Sequence, residues 1–298
     1  MRQLDMRNEQ GMHRLTTNNT IINKLFTQNS FNEFLGYRTP LTLTQVAHQY
    51  IPCPEALSNG EVLSQMYQFM SQSYRNEYFY QNTLLMKLLL GKHSVRTTTA
   101  LTQIPIGNSI ADFVLINGKA VVYEIKTELD TFNRLRGQLE DYYKAFDHVC
   151  VVTSESSFSK LDSELSDTPV GIYVLNKQNR LSNKIKKDPI RDASNINHHS
   201  LFSLLRKKEY ENILLAYYRE LPSATPVFYY DASYARFAEI PLDKAYVMVL
   251  NELKKRNKVE KDDISEIPDS LKSLAYFSNI SSKDRLLLDE YLSQQFRV

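Results

Sequence analysis

A chain of 298 residues with 42% apolar content is long enough for two domains, or for one core with helical additions. Its 36 basic and 34 acidic residues nearly cancel at +2, which excludes a histone-like polycation while leaving room for local basic patches. Two cysteines, Cys53 and Cys150, are too few for a disulfide framework or a tetrahedral zinc site, and Cys150 in HVCVVT reads as a buried thiol. The longest apolar run, around Thr83–Leu90, is interrupted by Lys87 and is too short to cross a bilayer. MRQLDMRNEQGMHR lacks the apolar centre of a signal peptide, so a cytoplasmic protein with no membrane partner is expected. Eight glycines form neither a Walker loop nor a dinucleotide fingerprint.

In chain order, residues 1–73 read as a helical N-terminal region. Thr20 is placed to cap IINKLF, Thr42 or Thr44 to open TQVAHQYI ahead of Pro52 and Pro54, and Ser58 or Asn59 to open EVLSQMYQFMSQ. Residues 74–190 change texture. YRNEYFYQNTLLMKLLLGKH has the pattern of one amphipathic helix stopping near Gly91. TTTALTQIPI, IADFVLI and KAVVYEIKT follow as strands, with Asn117-Gly118 as a turn. NRLRGQLEDYYKAF is helical, HVCVVT is a strand and GIYVL a short strand before a polar, basic connection holding Lys184, Lys186 and Lys187. Residues 191–298 return to helical patterns in LFSLLRKKEYENILLAYYREL, LDKAYVMVLNELKKR and SKDRLLLDEYLSQQF, and form a separate helical domain on this reading. Helix, three strands, helix and strand predict an α/β fold with a mixed sheet.

The chemistry concentrates in IADFVLINGKAVVYEIKTELDTFNRLRGQLEDYYKAF. Glu124 and Lys126 flank Ile125 on one strand and therefore share a face. Burying a carboxylate beside an ammonium is costly unless something binds there, and a divalent cation held by Asp112 and Glu124 relieves that cost. Magnesium suits a site of few carboxylates completed by water and phosphate. Glu77, on the preceding helix, is a candidate further carboxylate for the metal, and its neighbour Arg75 a candidate substrate contact. Gln138 and Tyr142 stack four apart on one helix face, with Arg134 a turn earlier as a substrate contact. Leu135 and Leu139 lie on the adjacent stripe and pack inward.

Asp112, Glu124-Ile125-Lys126 and Gln138…Tyr142 resemble the PD-(D/E)xK nuclease superfamily, and the Gln-xxx-Tyr pair resembles its RecB-like branch. YRNEYFYQN, IADFVLINGK, YEIKTELDTFNRL and QLEDYYKAFDHVCVVT are similar to a group of bacterial nuclease-like proteins often called sce-type. The resemblance spans roughly residues 74–155, and departs from the motif in having Ala111 where the superfamily name carries proline. It implies a restriction-endonuclease-like core, a mixed four-stranded sheet flanked by helices. It further implies Mg²⁺ (or Mn²⁺) bound by Asp112, Glu124 and the main-chain carbonyl of Ile125, with hydrolysis of nucleic-acid phosphodiesters, in DNA above all. Asp112, Glu124, Lys126, Gln138 and Tyr142 are then the catalytic set, and the setting is mobile-element biology or phage defence. A catalytically silent nuclease fold serving as a nucleic-acid-binding or interaction module is the alternative. The helical flanks would serve a homodimer or protein partner.

One geometric conflict follows from the pattern. A two-residue turn at Asn117-Gly118 pairs Ile116 with Lys119 and Asp112 with Tyr123, which turns Glu124 to the other face from Asp112. The site therefore requires a bulge, an odd-length loop or a kink between positions 111 and 124.

Overall fold

The computed structural model describes residues 21–91, 95–257, 259 and 264–297; the expected Thr20 cap lies outside them. The chain forms two compact units, one drawn from both ends (up to Met86 and from Val259) and one spanning Lys87–Lys258. Three consecutive regions at 1–73, 74–190 and 191–298 are therefore not how it divides.

The first unit opens with α1 (Gln28–Leu35), α2 (Leu41–Tyr50), α3 (Asn59–Ser73) and α4 (Glu77–Leu84). Ser58 starts α3 through a reciprocal cap: its Oγ accepts from Glu61 N, and Glu61 accepts from Ser58 N at 2.7 Å. Pro40, not Thr42 or Thr44, precedes α2, supplying a fixed φ of −58° with no side-chain cap. The single helix expected over 74–93 is divided: Asn76 caps α4 through Phe79 N, and Leu85–Leu90 continue as a π-helical stretch.

The second unit holds a six-stranded sheet in sequential order, two strands more than the four-stranded core that the resemblance implies: β1 (Thr99–Ile106), β2 (Ser109–Asn117), β3 (Lys119–Lys126), β4 (Val149–Ser154), β5 (Gly171–Leu175) and β6 (Leu181–Lys187). β1, β2 and β3 form an antiparallel meander, while β3, β4 and β5 run parallel through the crossover helices α5 (Leu135–Tyr143) and α6 (Glu155–Glu164). β6 returns antiparallel where a basic connection was expected. Its lysines suit an edge, since charged side chains discourage pairing with another strand.

The remaining helices of this unit are α7 (His198–Ser203), α8 (Lys207–Tyr218), α9 (Tyr229–Ala238) and α10 (Leu242–Lys254). α6 and α9 have no counterpart in the sequence reading. The continuous pattern over 201–221 breaks because Arg206 is extended and its N–H is taken by Glu209, which starts a new helix. Val114, Val122, Val151 and Ile172 on one sheet face share a single core with Leu139, Phe202, Leu214 and Val249 from the helices. That shared core is why residues 191–257 belong with the sheet rather than to a separate C-terminal domain.

The chain ends back in the first unit with α11 (Lys272–Phe277) and α12 (Ser282–Ser293). Asn59 ties the two chain ends together, with N–H to Gln294 O at 2.9 Å and side-chain amide to Tyr291 O at 2.9 Å. Phe34 stacks on Tyr291 in the same unit, centroids 5.2 Å apart. No described helix is long and apolar enough to cross a membrane.

Gly171 begins β5 where a Cβ would stand 2.6 Å from Pro189 N and 2.9 Å from Lys187 O. Gly171→Ala is therefore expected to destabilise the sheet unit by about 1–3 kcal/mol, because backbone cannot step aside as a side chain can. Gly137→Ala, in α5 with nothing near its Cβ, is expected to stabilise by about 0.5–1 kcal/mol. Urea unfolding of both variants, set against wild type, checks the pair of opposite signs.

Candidate active site

The register of β2 against β3 resolves the conflict seen in the sequence. Asn117 pairs with Lys119 and Phe113 with Tyr123, so the connection is a single residue, Gly118, at φ +69°. A positive φ is open to glycine at little cost, which is what allows the odd-length loop. Continued one step further, this register sets Asp112 across from Glu124, on the same face. The two-residue turn is thus corrected to the odd-length loop that the site required.

The backbone also departs from regular pairing at Asp112. The β2–β3 ladder stops at Phe113–Tyr123, and the β1–β2 ladder skips Gln103, the residue opposite Asp112. Gln103 sits in the left-handed region at φ +53°, uncommon outside glycine and asparagine. Side chains take over where main-chain pairing lapses. Thr102 Oγ1 donates to Asp112 O at 2.8 Å, and Ile125 N–H donates to Asp112 Oδ2 at 2.8 Å. Asp112 is half-buried and held directly against the Glu124-Ile125-Lys126 strand end.

Glu124 is the most constrained group of the set, at 1% exposure. Lys126 Nζ donates to its Oε1 at 2.7 Å and to Gln138 Oε1 at 3.0 Å. Tyr142 hydroxyl lies 2.5 Å from Glu124 Oε2 and 2.8 Å from Ile110 O, so its one proton has two acceptors. Burial raises the Tyr142 pKa far above the usual phenol range, and the Glu124 charge, its hydrogen bond and Asp112 add to the rise. Tyr142 therefore stays a phenol and acts here as a donor. Asp112, Glu124, Lys126, Gln138 and Tyr142 are brought together as the motif requires. Arg134 stands at the exposed N-terminus of α5, on the same stripe. Arg75 and Glu77 belong to the first unit, Glu77 as the first residue of α4 and Arg75 over the Tyr80 ring at 5.7 Å.

Asp141 and Gly107 were not singled out in the sequence. Asp141, next to Tyr142 on α5, accepts from Ser109 Oγ at 2.7 Å, Asn108 N at 3.1 Å and Lys144 Nζ at 2.7 Å. Gly107 closes the β1–β2 hairpin at φ +59°, where any Cβ would stand 2.8 Å from Asp141 Oδ1. Asp141 and Tyr142 together clamp three successive residues, Asn108, Ser109 and Ile110, just ahead of Asp112. The Gly-Asn turn was a visible signal; its partner on a helix 33 positions away was not.

Two carboxylates and one ammonium carry a formal net negative charge, and with the Ile125 carbonyl they offer hard oxygen donors. That donor set fits a divalent cation such as Mg²⁺ that keeps several waters and takes phosphate. Among the described residues no three of His, Cys, Asp and Glu cluster closely enough to hold a metal by themselves. A cavity of about 920 Å³ lies along Leu135, Leu139 and Tyr143 on the neighbouring stripe of α5 and includes none of the site residues.

The fold and site define a mixed α/β protein with a carboxylate–lysine cluster at the carboxyl ends of its parallel strands. The model of the family described as Bacteriophage P4 protein cII matches residues 70–272, about two thirds of the chain. The protein belongs to that family. No curated protein and no solved structure matches the chain.

Two consequences can be measured without assuming an activity. Lys126→Met leaves the Glu124 carboxylate buried with one donor fewer, so it should cost about 3 kcal/mol. Glu124→Gln/Lys126→Met should recover most of that loss; a double variant as unstable as the single one would show that the pair is not coupled. For Asp141, burial opposes ionisation, but Lys144, Ser109 and the Asn108 N–H overcome it and hold the pKa below the usual carboxylate value. A depressed pKa gives stability that is present above the unfolded-state pKa and lost as pH falls through the folded one. The stability gap between wild type and Asp141→Asn should therefore be full near neutrality and close at acid pH, read by denaturant unfolding across pH.

Proposed function

We propose that the protein is a divalent-metal-dependent nuclease hydrolysing phosphodiester bonds, in DNA above all. The observation that carries the reading is the cross-strand placement of Asp112 against Glu124-Ile125-Lys126, with Gln138 and Tyr142 holding the lysine and the glutamate. The core formed by β1–β4 with α5 has the element order that the PD-(D/E)xK resemblance implies, and the restriction-endonuclease-like assignment rests on that resemblance. Asp112, Glu124 and the Ile125 carbonyl would hold Mg²⁺ or Mn²⁺. A bound ion of this kind polarises a scissile phosphate and makes a water more acidic.

The protein's own residues have separable parts. Lys126 brings a positive charge to the phosphate or orients the attacking water. Gln138 fixes the Lys126 ammonium by accepting its hydrogen bond, and Tyr142 fixes Glu124 by donating one. Asp112 is aimed by the Ile125 N–H. Arg134, exposed at the start of α5, is placed for a backbone phosphate. The family name, with its phage origin, agrees with a mobile-element setting.

One observation favours the second reading, a catalytically silent binding module: both oxygens of Glu124 already have donors within the protein. Incubation with plasmid, linear and single-stranded DNA and with RNA, in Mg²⁺, Mn²⁺ or EDTA, separates the two. The expected result is cleavage in Mg²⁺ or Mn²⁺, none in EDTA, and a loss of about 100-fold or more in Asp112→Ala and Lys126→Ala. Cleavage surviving in both variants would misassign the site. Binding of nucleic acid with neither cleavage nor divalent-ion binding would leave the silent module.

A further inference from the structure

The basic residues near the end of the sheet find no use in the cluster around Glu124. A cleft of about 340 Å³ is lined by Lys87, Tyr173, Arg180, Ser182 and Lys186 among others, and none of its lining residues is acidic. Lys186 Nζ is shared by both oxygens of Asp188 at 2.9 Å and lies 5.9 Å above the Tyr173 ring. Among the described residues, neither Lys87 nor Arg180 has an ion-pair partner, and both are exposed. Ser182 Oγ accepts from Lys184 N and Ile185 N, which leaves its proton to donate. Two uncompensated cations and the Ser182 hydroxyl make a receptor for an oxyanion, beside a Lys186 ammonium and a Tyr173 hydroxyl that both already donate to Asp188; a guanidinium in particular matches a phosphate with two parallel donors.

Edge protection accounts for lysines on β6, but not for this convergence. Lys87 comes from the π-helical stretch and Arg180 from the β5–β6 turn, and neither lies on the open edge. Lys187 is already committed, donating to Leu165 O and Thr168 O.

The position relates the cleft to the carboxylate cluster. Tyr173 pairs with Val152, and Val152 with Ile125, so the cleft lies in the row next to Lys126, on the opposite sheet face. Two strand spacings separate them, about 10 Å across the sheet. The β5–β6 turn is held by Asn176, whose side chain accepts from Arg180 N at 2.9 Å, and this fixes Arg180 at the same end of the sheet as Lys126. About 10 Å corresponds to about three base-pair steps of rise along a duplex axis.

We propose that this cleft is a phosphate subsite, taking a backbone phosphate of a nucleic-acid strand that meets Lys126 a few nucleotides away. It rests on the nuclease reading for its choice of nucleic acid over free phosphate. The strand leaves the carboxylate cluster over the carboxyl ends of β4 and β5 and is gripped there without regard to base sequence.

The test is binding of a short fluorescent DNA, duplex and single-stranded, to full-length protein in Ca²⁺ over a series of KCl concentrations. Lys87→Ala/Arg180→Ala should weaken binding about tenfold near physiological salt and reduce the slope of log affinity against log salt by about 2. Its circular dichroism and unfolding midpoint should be unchanged. Equal affinity and slope in variant and wild type would overturn the proposal. Titration with inorganic phosphate is the second arm. Phosphate binding lost in the variant while DNA affinity holds would make this a free-anion site and overturn the backbone assignment. A wild type that binds DNA with the Lys87- and Arg180-dependent slope but never cleaves would keep the subsite and remove the nuclease reading.

Discussion

Glu124 sets the terms for everything around it. A carboxylate at 1% exposure is costly to desolvate, by several kcal/mol after relaxation, unless charge and hydrogen bonds replace the lost water. Two residues on, Lys126 supplies the charge from the same face of the same strand; from across the core, Tyr142 supplies a second donor. Neither partner acts alone. Lys126 is steadied by Gln138, and Tyr142 reaches Ile110 as well as Glu124, so one short helix, α5, bears on both neighbours of the carboxylate. The β3–α5–β4 crossover is the element that makes this arrangement possible, because it lays α5 on the Glu124 face of a sheet it has just left.

The second constraint is on Asp112. Regular antiparallel pairing would spend the Ile125 N–H on the neighbouring strand; here it goes to the Asp112 carboxylate instead. The ladder lapses on both sides of Asp112, and Gln103 takes a left-handed conformation opposite it. Irregular backbone of this kind persists only where surrounding contacts over-determine it. Most of those contacts come from α5 again, and one from β1. Asp141 holds Asn108 and Ser109, Tyr142 holds Ile110, and Thr102 takes the Asp112 carbonyl. The helix that positions Glu124 thus also fixes the strand that presents Asp112, so one helix holds the surroundings of both carboxylates.

The division into two units gives the flanks different meanings. Residues 191–257 are part of the sheet's own core, since Phe202, Leu214, Phe237 and Val249 close over the face that carries Glu124. The last helices complete a separate unit with the N-terminal ones, joined where Asn59 meets Tyr291 and Gln294. The family match runs from residue 70 to residue 272 and so contains the whole sheet unit and its carboxylate cluster.

Local pattern determined a good deal by itself. Alternation and β-branched content marked β1 to β5, Ser58 or Asn59 marked the start of α3, and Glu-x-Lys with Gln-xxx-Tyr marked four side chains that do converge. β6 escaped notice because an edge strand need not be apolar, and its exposed lysines look like a loop. Which face Asp112 occupies was decided by tertiary structure. One residue of loop length inverts every side chain beyond it, and Asn-Gly signals a two-residue turn where the structure closes the loop with Gly118 alone. The Asp141 clamp and the sheet's ownership of residues 191–257 were likewise settled only by packing, since each joins residues with no periodic relation along the chain. Sequence named the groups because chemistry is written in residue types. Folding chose their distances because those depend on which elements share a core.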